Sequence, residues 1–421
     1  MIKASGELNN DGKIEPIESA PSPQSVSGLN ALLFCMSDVR NGVGPLLSIH
    51  LRNTLQWDPA KIGIALATVE FSAFLTQIPA GLLADASKSK RAVVATAICL
   101  IILGCLILLS FSAFPLVIIA QLLMGISIAL ISPALGAITL GLFGRKKLPS
   151  RIGKNEVFNH SGNVISAFTA GITGYLFGSQ WIFFLVIGFA IGSLISLSFI
   201  KPGEINYAVA RELPKDKDAK PLPLSMLFKR KAILIFNFCM ILYYMANGAQ
   251  MSLVGQILAN KDPVHSALYI SACMIIAEIT MIGVAYTMSR IVNHFNRKTF
   301  FLTAILILPV RAFLYTLVES PQYLLLIQIL DGIAAGILGT IGGVINSDLA
   351  IDTGRFNFLQ GMGAMSTNMG ESISQLFAGF IAKSFGFNTS FYALAMVALC
   401  GASIFAFFMP ETKIVHESAT K

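Results

Sequence analysis

Charge is what this sequence most lacks. Only 12% of its 421 residues are Asp, Glu, Lys or Arg, against roughly 25% in a soluble domain. A soluble chain of this length would form two or three domains, and this one does not carry the charge to solvate them. Hydrophobic residues make up 55%, and the mean hydropathy is +0.72. The missing charge points to lipid as the solvent. Other absences narrow the function. No GxxxxGKS/T phosphate loop occurs, which argues against an ATP-driven pump. No HExxH zinc site or GxSxG elbow occurs, so an enzyme is not expected. The six cysteines, Cys35, Cys99, Cys105, Cys239, Cys273 and Cys400, fall inside apolar runs without metal spacing or a disulfide framework. They read as small packing residues, and neither a metal nor a cofactor is expected. The N-terminus has no basic segment followed by an apolar core, so it is not a signal peptide. Residues 1–28, with Pro16, Pro21 and Pro23 and charges of both signs, are expected to be a disordered cytoplasmic tail.

What is present is a series of apolar runs. A helix crosses the bilayer core with about 20 such residues. Runs of that length lie near 29–51, 60–84, 91–111, 114–142, 155–178, 180–200, 231–259, 265–289, 298–318, 322–348, 355–383 and 387–409. The fifth and eleventh are rich in Gly, Ser, Thr and Asn, as where membrane helices pack closely or line a cavity. An all-α membrane protein of twelve spans follows. The net charge of +8 resides in short connections between spans, so it sets topology rather than nucleic-acid binding. Lys88, Lys90, Arg91, Arg145, Lys146, Lys147, Arg151, Lys154, Arg290, Arg297 and Lys298 occupy even-numbered connections, while odd ones hold few basic residues. The positive-inside rule then places both termini in the cytoplasm, as in a multi-pass protein of the cytoplasmic (inner) membrane. A polar connection at 201–230, with Pro202, Pro214, Pro221 and Pro223, divides the chain into six spans at 29–200 and six at 231–410, with a tail at 411–421.

The halves repeat each other at an offset of about 207–208 residues. Gln121–Gly125 matches Gln328–Gly332, and Ala170–Gly178 matches Ala378–Gly386. Two repeated six-span bundles place a substrate site between them near the midplane. After the second span the chain reads Gly81, then Asp85, then Lys90 and Arg91. This segment resembles the cytoplasmic signature of the major facilitator superfamily, and the resemblance extends from about 29 to 410. Ala86 and Lys88 stand where the family usually has Arg and Gly, and Asn293 stands where the second half would have Asp. The resemblance implies a twelve-helix 6+6 fold, alternating access, and a cytoplasmic gate at Gly81, Asp85, Lys90 and Arg91. An Asp at a helix end can hold such a gate through charge and dipole contacts. Gln121 stands where many proton antiporters of the family have Arg, and the fifth span lacks the proline of the drug-antiporter signature.

Seven ionisable residues lie well inside spans: Asp38, Arg40, Glu70, Glu278, Arg311, Asp331 and Glu371. Each costs about 2.5–3.5 kcal/mol at a helix centre, so each must be paired, hydrated or used. Asp38 and Arg40 precede Gly42, Gly44 and Pro45, which invite a helix break lining a cavity. Glu70 lies about 15 Å into the second span at 1.5 Å per residue, with Gln77 on the same face. Burial raises a carboxyl pKa, so Glu70 is a proton-coupling candidate as well as a packing candidate. Glu278 and Arg311, on adjacent spans, suggest a neutralising pair. Tyr243, Asn247 and Gln250 share one face of the seventh span, and Asn368, Glu371 and Gln375 one face of the eleventh. The fifth contributes Asn159, His160 and Asn163. By the resemblance, spans one, seven and eleven face the cavity, which makes these residues and Asp331 its candidate lining. Interhelical hydrogen bonding is the alternative.

A secondary transporter is the resulting expectation. It is read as proton-coupled, functional as a monomer, and exporting a small drug-like or siderophore-like amphiphile. Proton symport of an organic anion or nutrient is the alternative, and a non-transporting sensor on the same scaffold is a third.

Overall fold

The computed structural model describes residues 6–8, 14–16, 21–41, 43–87, 89–206, 223–291, 295–318, 320–351, 353 and 355–412. The side chains of Asp38, Arg40 and Asp85 lie outside that description. A short antiparallel ladder of β1 (Gly6–Leu8) and β2 (Ile14–Pro16) precedes the helices. The first half comprises α1 (Pro23–Asn41), α2 (Val43–Asn53), α3 (Pro59–Ala86), α4 (Lys90–Ser110), α5 (Phe114–Phe177) and α6 (Trp181–Phe199). The second comprises α7 (Lys231–Asn247), α8 (Gln250–Lys261), α9 (Ser266–Ile291), α10 (Arg297–Leu317), α11 (Pro321–Ala350), α12 (Phe356–Phe385) and α13 (Phe387–Phe408). Residues 207–222 of the connection fall outside the description.

Local chemistry sets the helix ends. Asp58 caps α3 by accepting from the Lys61 N–H at 3.0 Å, with Pro59 at the first helical position. Gly178 and Gly386 end α5 and α12 at φ 94° and 89°, where a side chain would be strained. They are the last residues of the matched repeat segments. α5 holds two spans. The basic loop expected at Arg145 to Lys154 is instead the first turns of the second span, because Gly144 alone (φ 69°, ψ 167°) bends the chain. α1 also starts at Pro23, earlier than the boundary expected at 28.

Among the described residues, nine segments are long and apolar enough to cross a membrane. The α1–α2 pair, the part of α5 after Gly144, and α12 fill the other three of the twelve positions. These spans carry half of the cavity candidates.

The repeat is visible in three dimensions. The seventh span breaks between Asn247 and Gln250. Each half has its own apolar core, one around Leu32, Val94 and Phe183, the other around Phe236, Phe301 and Phe405. A third cluster joins Leu46, Ile49 and Ala170 of the first half to Leu253, Leu258 and Ile270 of the second. Across the halves α3 packs on α12, α5 on α9, and α2 on α8.

The two faces of the molecule differ. Lys90, Arg91, Arg151 and Arg297 mark one as the basic face. Toward the other, a Cβ on Gly63 would stand 2.4 Å from the Gln375 carbonyl oxygen, and one on Gly379 would stand 2.6 Å from that of Pro59. Ser372 Oγ donates to the Ala67 carbonyl at 3.1 Å, and Lys383 Nζ lies 3.2 Å from Asp58 Oδ2. These contacts lie between mid-helix and the opposite face. The halves are therefore held together on the opposite face.

Candidate functional site

At mid-helix, α5 and α9 exchange side-chain contacts. Glu278 lies twelve residues into α9, about 18 Å along its axis. One carboxylate oxygen faces His160 Nδ1 at 2.8 Å, and the other accepts from Asn163 Nδ2 at 2.8 Å. Both partners come from the other half, and Glu278 and His160 are largely buried. The far nitrogen of His160 lies 4.0 Å from the exposed carboxylate of Glu156, one turn nearer the basic face. Asn159 donates to the same carboxylate at 3.4 Å. Glu156 was not among the sequence candidates. Its i, i+4 spacing to His160 was the available signal.

This arrangement corrects one sequence expectation. Arg311 does not neutralise Glu278. It pairs with Asp331 of α11, donates from Nε to Gln250 Oε1 at 2.9 Å, and donates from Nη2 to Asn247. Its side chain is 2% exposed, so the cluster is internal to the second bundle. The geometric reason is that α9 packs against both α5 and α11, and Glu278 faces α5.

The stripe on the seventh span is also mostly internal. Tyr243 is buried against Phe301 and Tyr244 in the second core, not in a cavity. Gln250 is buried and holds Arg311. The break at Gly248 and Ala249 frees backbone groups, and α12 supplies their partners. Gln375 donates to the Gly248 carbonyl at 2.9 Å, and the Ala249 N–H donates to Ser374 Oγ at 2.9 Å. This satisfies the requirement that broken membrane helices find internal hydrogen bonds. Glu371 packs directly on Gly248, where a Cβ would stand 3.1 Å from its Cγ. Sequence reasoning expected a break in the first span near Gly42, which lies outside the described residues, and missed this one, although the repeat offset links the two positions.

Glu70, Gln77, Asn368 and Glu371 are half-buried on α3 and α12. The repeat offset carries Glu278 to Glu70 and His160 to Asn368. On the basic face, Lys90 is fully buried, Arg91 is half-buried, and a Cβ on Gly81 would meet open space. Asp85, Asp38 and Arg40 fall outside the described side chains. Among the described residues, no three His, Cys, Asp or Glu converge as a metal site.

The family profile of the Major Facilitator Superfamily matches residues 29–307 and 236–421. The chain belongs to this superfamily. An uncharacterized MFS-type transporter of Mycobacterium tuberculosis, found in two strains, is 33% identical over 396 residues, covering 93% of this chain and 95% of its own. Among solved structures, a nucleoside transporter, NupG, superposes with TM-score 0.70 at 17% identity, covering 91% of this chain and 98% of that one. A POT family transporter in complex with 5-aminolevulinic acid superposes with TM-score 0.76 at 13% identity, covering 94% and 99%. A peptide transporter POT in complex with sulfate gives 0.72 at 14%, covering 90% and 94%. At these identities the superpositions establish the fold. The protein is therefore an MFS-type transporter, a multi-pass membrane protein of two six-helix bundles.

Proposed function

We propose that this MFS-type transporter is a proton-coupled exporter of a small organic amphiphile. It works as a monomer in a cytoplasmic (inner) membrane, with both termini and the basic face inside. The observation that carries the reading is the His160–Glu278 hydrogen bond across the halves at mid-helix. Coupling requires a group whose proton occupancy changes how the bundles meet. An imidazole and a carboxylate on opposite bundles are such a group. The exposed carboxylate of Glu156 extends it one turn toward the basic face.

Charge supports a cationic or neutral cargo over an anion. Arg311 is consumed by Asp331, Asn247 and Gln250 inside one bundle. On the helices of the cross-half junctions, Glu70, Glu156, Glu278 and Glu371 supply acid groups. With the basic face inside, cross-half contacts on the opposite face support an inward-facing state, ready to load from the cytoplasm.

The test is proton flux in proteoliposomes against a panel of amphiphilic cations and neutral metabolites. Substrate should move into inverted vesicles with counter-movement of protons. Uptake into right-side-out vesicles, with protons moving in the same direction, would replace the export reading with symport.

A further inference from the structure

The closed face has its own machinery, which the coupling pair does not use. At its centre Arg52 Nε donates to Asn260 Oδ1 at 2.7 Å across the halves. Its Nη1 donates to the Trp57 carbonyl at 2.8 Å, holding the turn in which Gln56 sits at φ 53°. On one flank Lys383 meets Asp58. On the other, the Tyr175 ring stacks on His265, with centroids 5.3 Å apart and planes 23° from parallel. The repeat offset carries Asp58 to His265 and Lys383 to Tyr175. One joint is thus built twice, once as an ion pair and once as an imidazole–phenol stack.

The imidazole is anchored. His265 Nδ1 lies 3.0 and 2.9 Å from the two carboxylate oxygens of Asp262, and its backbone N–H donates to one of them at 3.1 Å. The titratable groups facing the ring are Asp262 in its own turn and the Tyr175 phenol on α5. Beside it α2 presents the uncharged Asn53, which donates to the Pro263 carbonyl at 3.3 Å and Ser266 Oγ at 3.2 Å. The ring is about half exposed, so protons reach it from the adjoining solvent.

We propose that the His265–Tyr175 stack is a proton-operated latch of the outer gate, closing more firmly when His265 is protonated. The imidazolium keeps its bond to Asp262 as an ion pair and places a cation within 6 Å of the Tyr175 ring centroid, the range of a cation–π contact. The neutral ring keeps only the stack. Imidazoles change charge between about pH 5 and 8, a range in which carboxylates and ammonium groups ordinarily keep theirs. External acid therefore tightens one flank and leaves the other unchanged. An exporter that exchanges cargo for protons needs this bias on its return stroke, and an uptake symporter would be slowed by it. The significance of the latch rests on the proposed export, but its existence is tested separately.

Spin labels at Val157→Cys and Tyr286→Cys, with the six native cysteines replaced by serine, report opening of the basic face. In lipid nanodiscs, acidification from pH 8 to pH 5 should raise the ratio of basic-face-open to closed molecules. His265→Gln and Tyr175→Leu should each remove about a two- to fivefold component of that rise, the size of an exposed cation–π contact. Asp58→Asn should lower the open fraction at both pH values and keep the pH response. His160→Gln should keep the latch component, so a failure of the coupling pair is distinguishable from a failure of the latch. A parental pH response in both His265→Gln and Tyr175→Leu overturns the proposal, and so does a shift in the opposite direction.

Discussion

Arg52 and Asn260 touch across the junction of the bundles, and they occupy the same place in the two repeats, 208 positions apart. A residue that meets its own repeat mate lies at the axis relating the halves. The flanking joints then follow in pairs, Asp58–Lys383 on one side and His265–Tyr175 on the other. The same relation holds a little deeper in the closed face, where Gly63 packs on Gly379 while Ser271 packs on Gly171. Duplication supplied the geometry, and divergence of single residues gave each side its chemistry.

If His160 and Glu278 couple protons to cargo, removing the proton site should uncouple the carrier without stopping it. Glu278→Gln keeps the size and one acceptor for Asn163. Exchange of labelled for unlabelled cargo should stay within about threefold of the parent. Gradient-driven accumulation should fall about tenfold or more, within the 5- to 150-fold range of typical coupling energies. Paired exchange and accumulation assays in the same liposomes check this. Equal losses in both would make Glu278 a packing residue.

The α3–α12 junction depends on two glycines. A methyl group at Gly63 would stand 2.4 Å from the Gln375 carbonyl, too close for either backbone to remain in place. Gly63→Ala should therefore push the helices apart on the closed face and cost about 1–3 kcal/mol, the usual range for overpacking. Gly81→Ala, where a Cβ meets open space, is the control. Thermal unfolding of the purified protein and the accessibility of the opposite face should change in the first variant only.

Much of the fold was legible in the sequence because the bilayer demands apolar runs of a fixed length. The first, fifth and eleventh spans were harder to read, since their polar residues lower the very signal that identifies a span. At the site, the residues were legible and their pairing was not. Glu278 and Arg311 are opposite charges on consecutive spans, yet consecutive spans need not turn those faces toward each other. Glu278 looks out at His160 across the halves, and Arg311 looks inward at Asp331. Asn247, Gln250 and Gln375 share helix faces as expected, but the broken seventh span and Arg311 use their hydrogen bonds.

The Arg311 cluster makes a stability prediction. Arg311→Met leaves Asp331 and the amides of Asn247 and Gln250 without their cation inside a bundle. Breaking a buried pair by removing one partner costs about 3–5 kcal/mol, while replacing both partners with apolar groups is often neutral. Asp331 is partly exposed, which places the single variant near the lower end. Arg311→Met should unfold at a clearly lower temperature, and Arg311→Met with Asp331→Leu should recover much of the loss. A double variant as unstable as the single one would show that the hydrogen bonds to Asn247 and Gln250, rather than the charge pair, hold the cluster.

The ion-pair flank of the closed face should respond to acid well below the range of the histidine latch. Partial burial pushes the Asp58 carboxyl up, but the Lys61 backbone N–H and the Lys383 ammonium together outweigh it and hold the group below its ordinary value. A carboxyl with a depressed folded pKa contributes fully above its ordinary value and loses that contribution as pH falls through the folded one. The joint is therefore intact from neutral pH down to about 4, and it weakens only below that. Because Asp58 and Lys383 are both partly exposed, it is worth only about 0.2–1 kcal/mol and is screened by salt. Asp58→Asn should thus mimic strong acid at neutral pH, shifting the closed face toward opening by about fivefold or less, and added salt should shrink the difference from the parent. Distance measurements between labels on α3 and α12 at low and high ionic strength separate these effects. A variant indistinguishable from the parent at low salt would move the hold on this flank from the ion pair to the glycine packing beneath it.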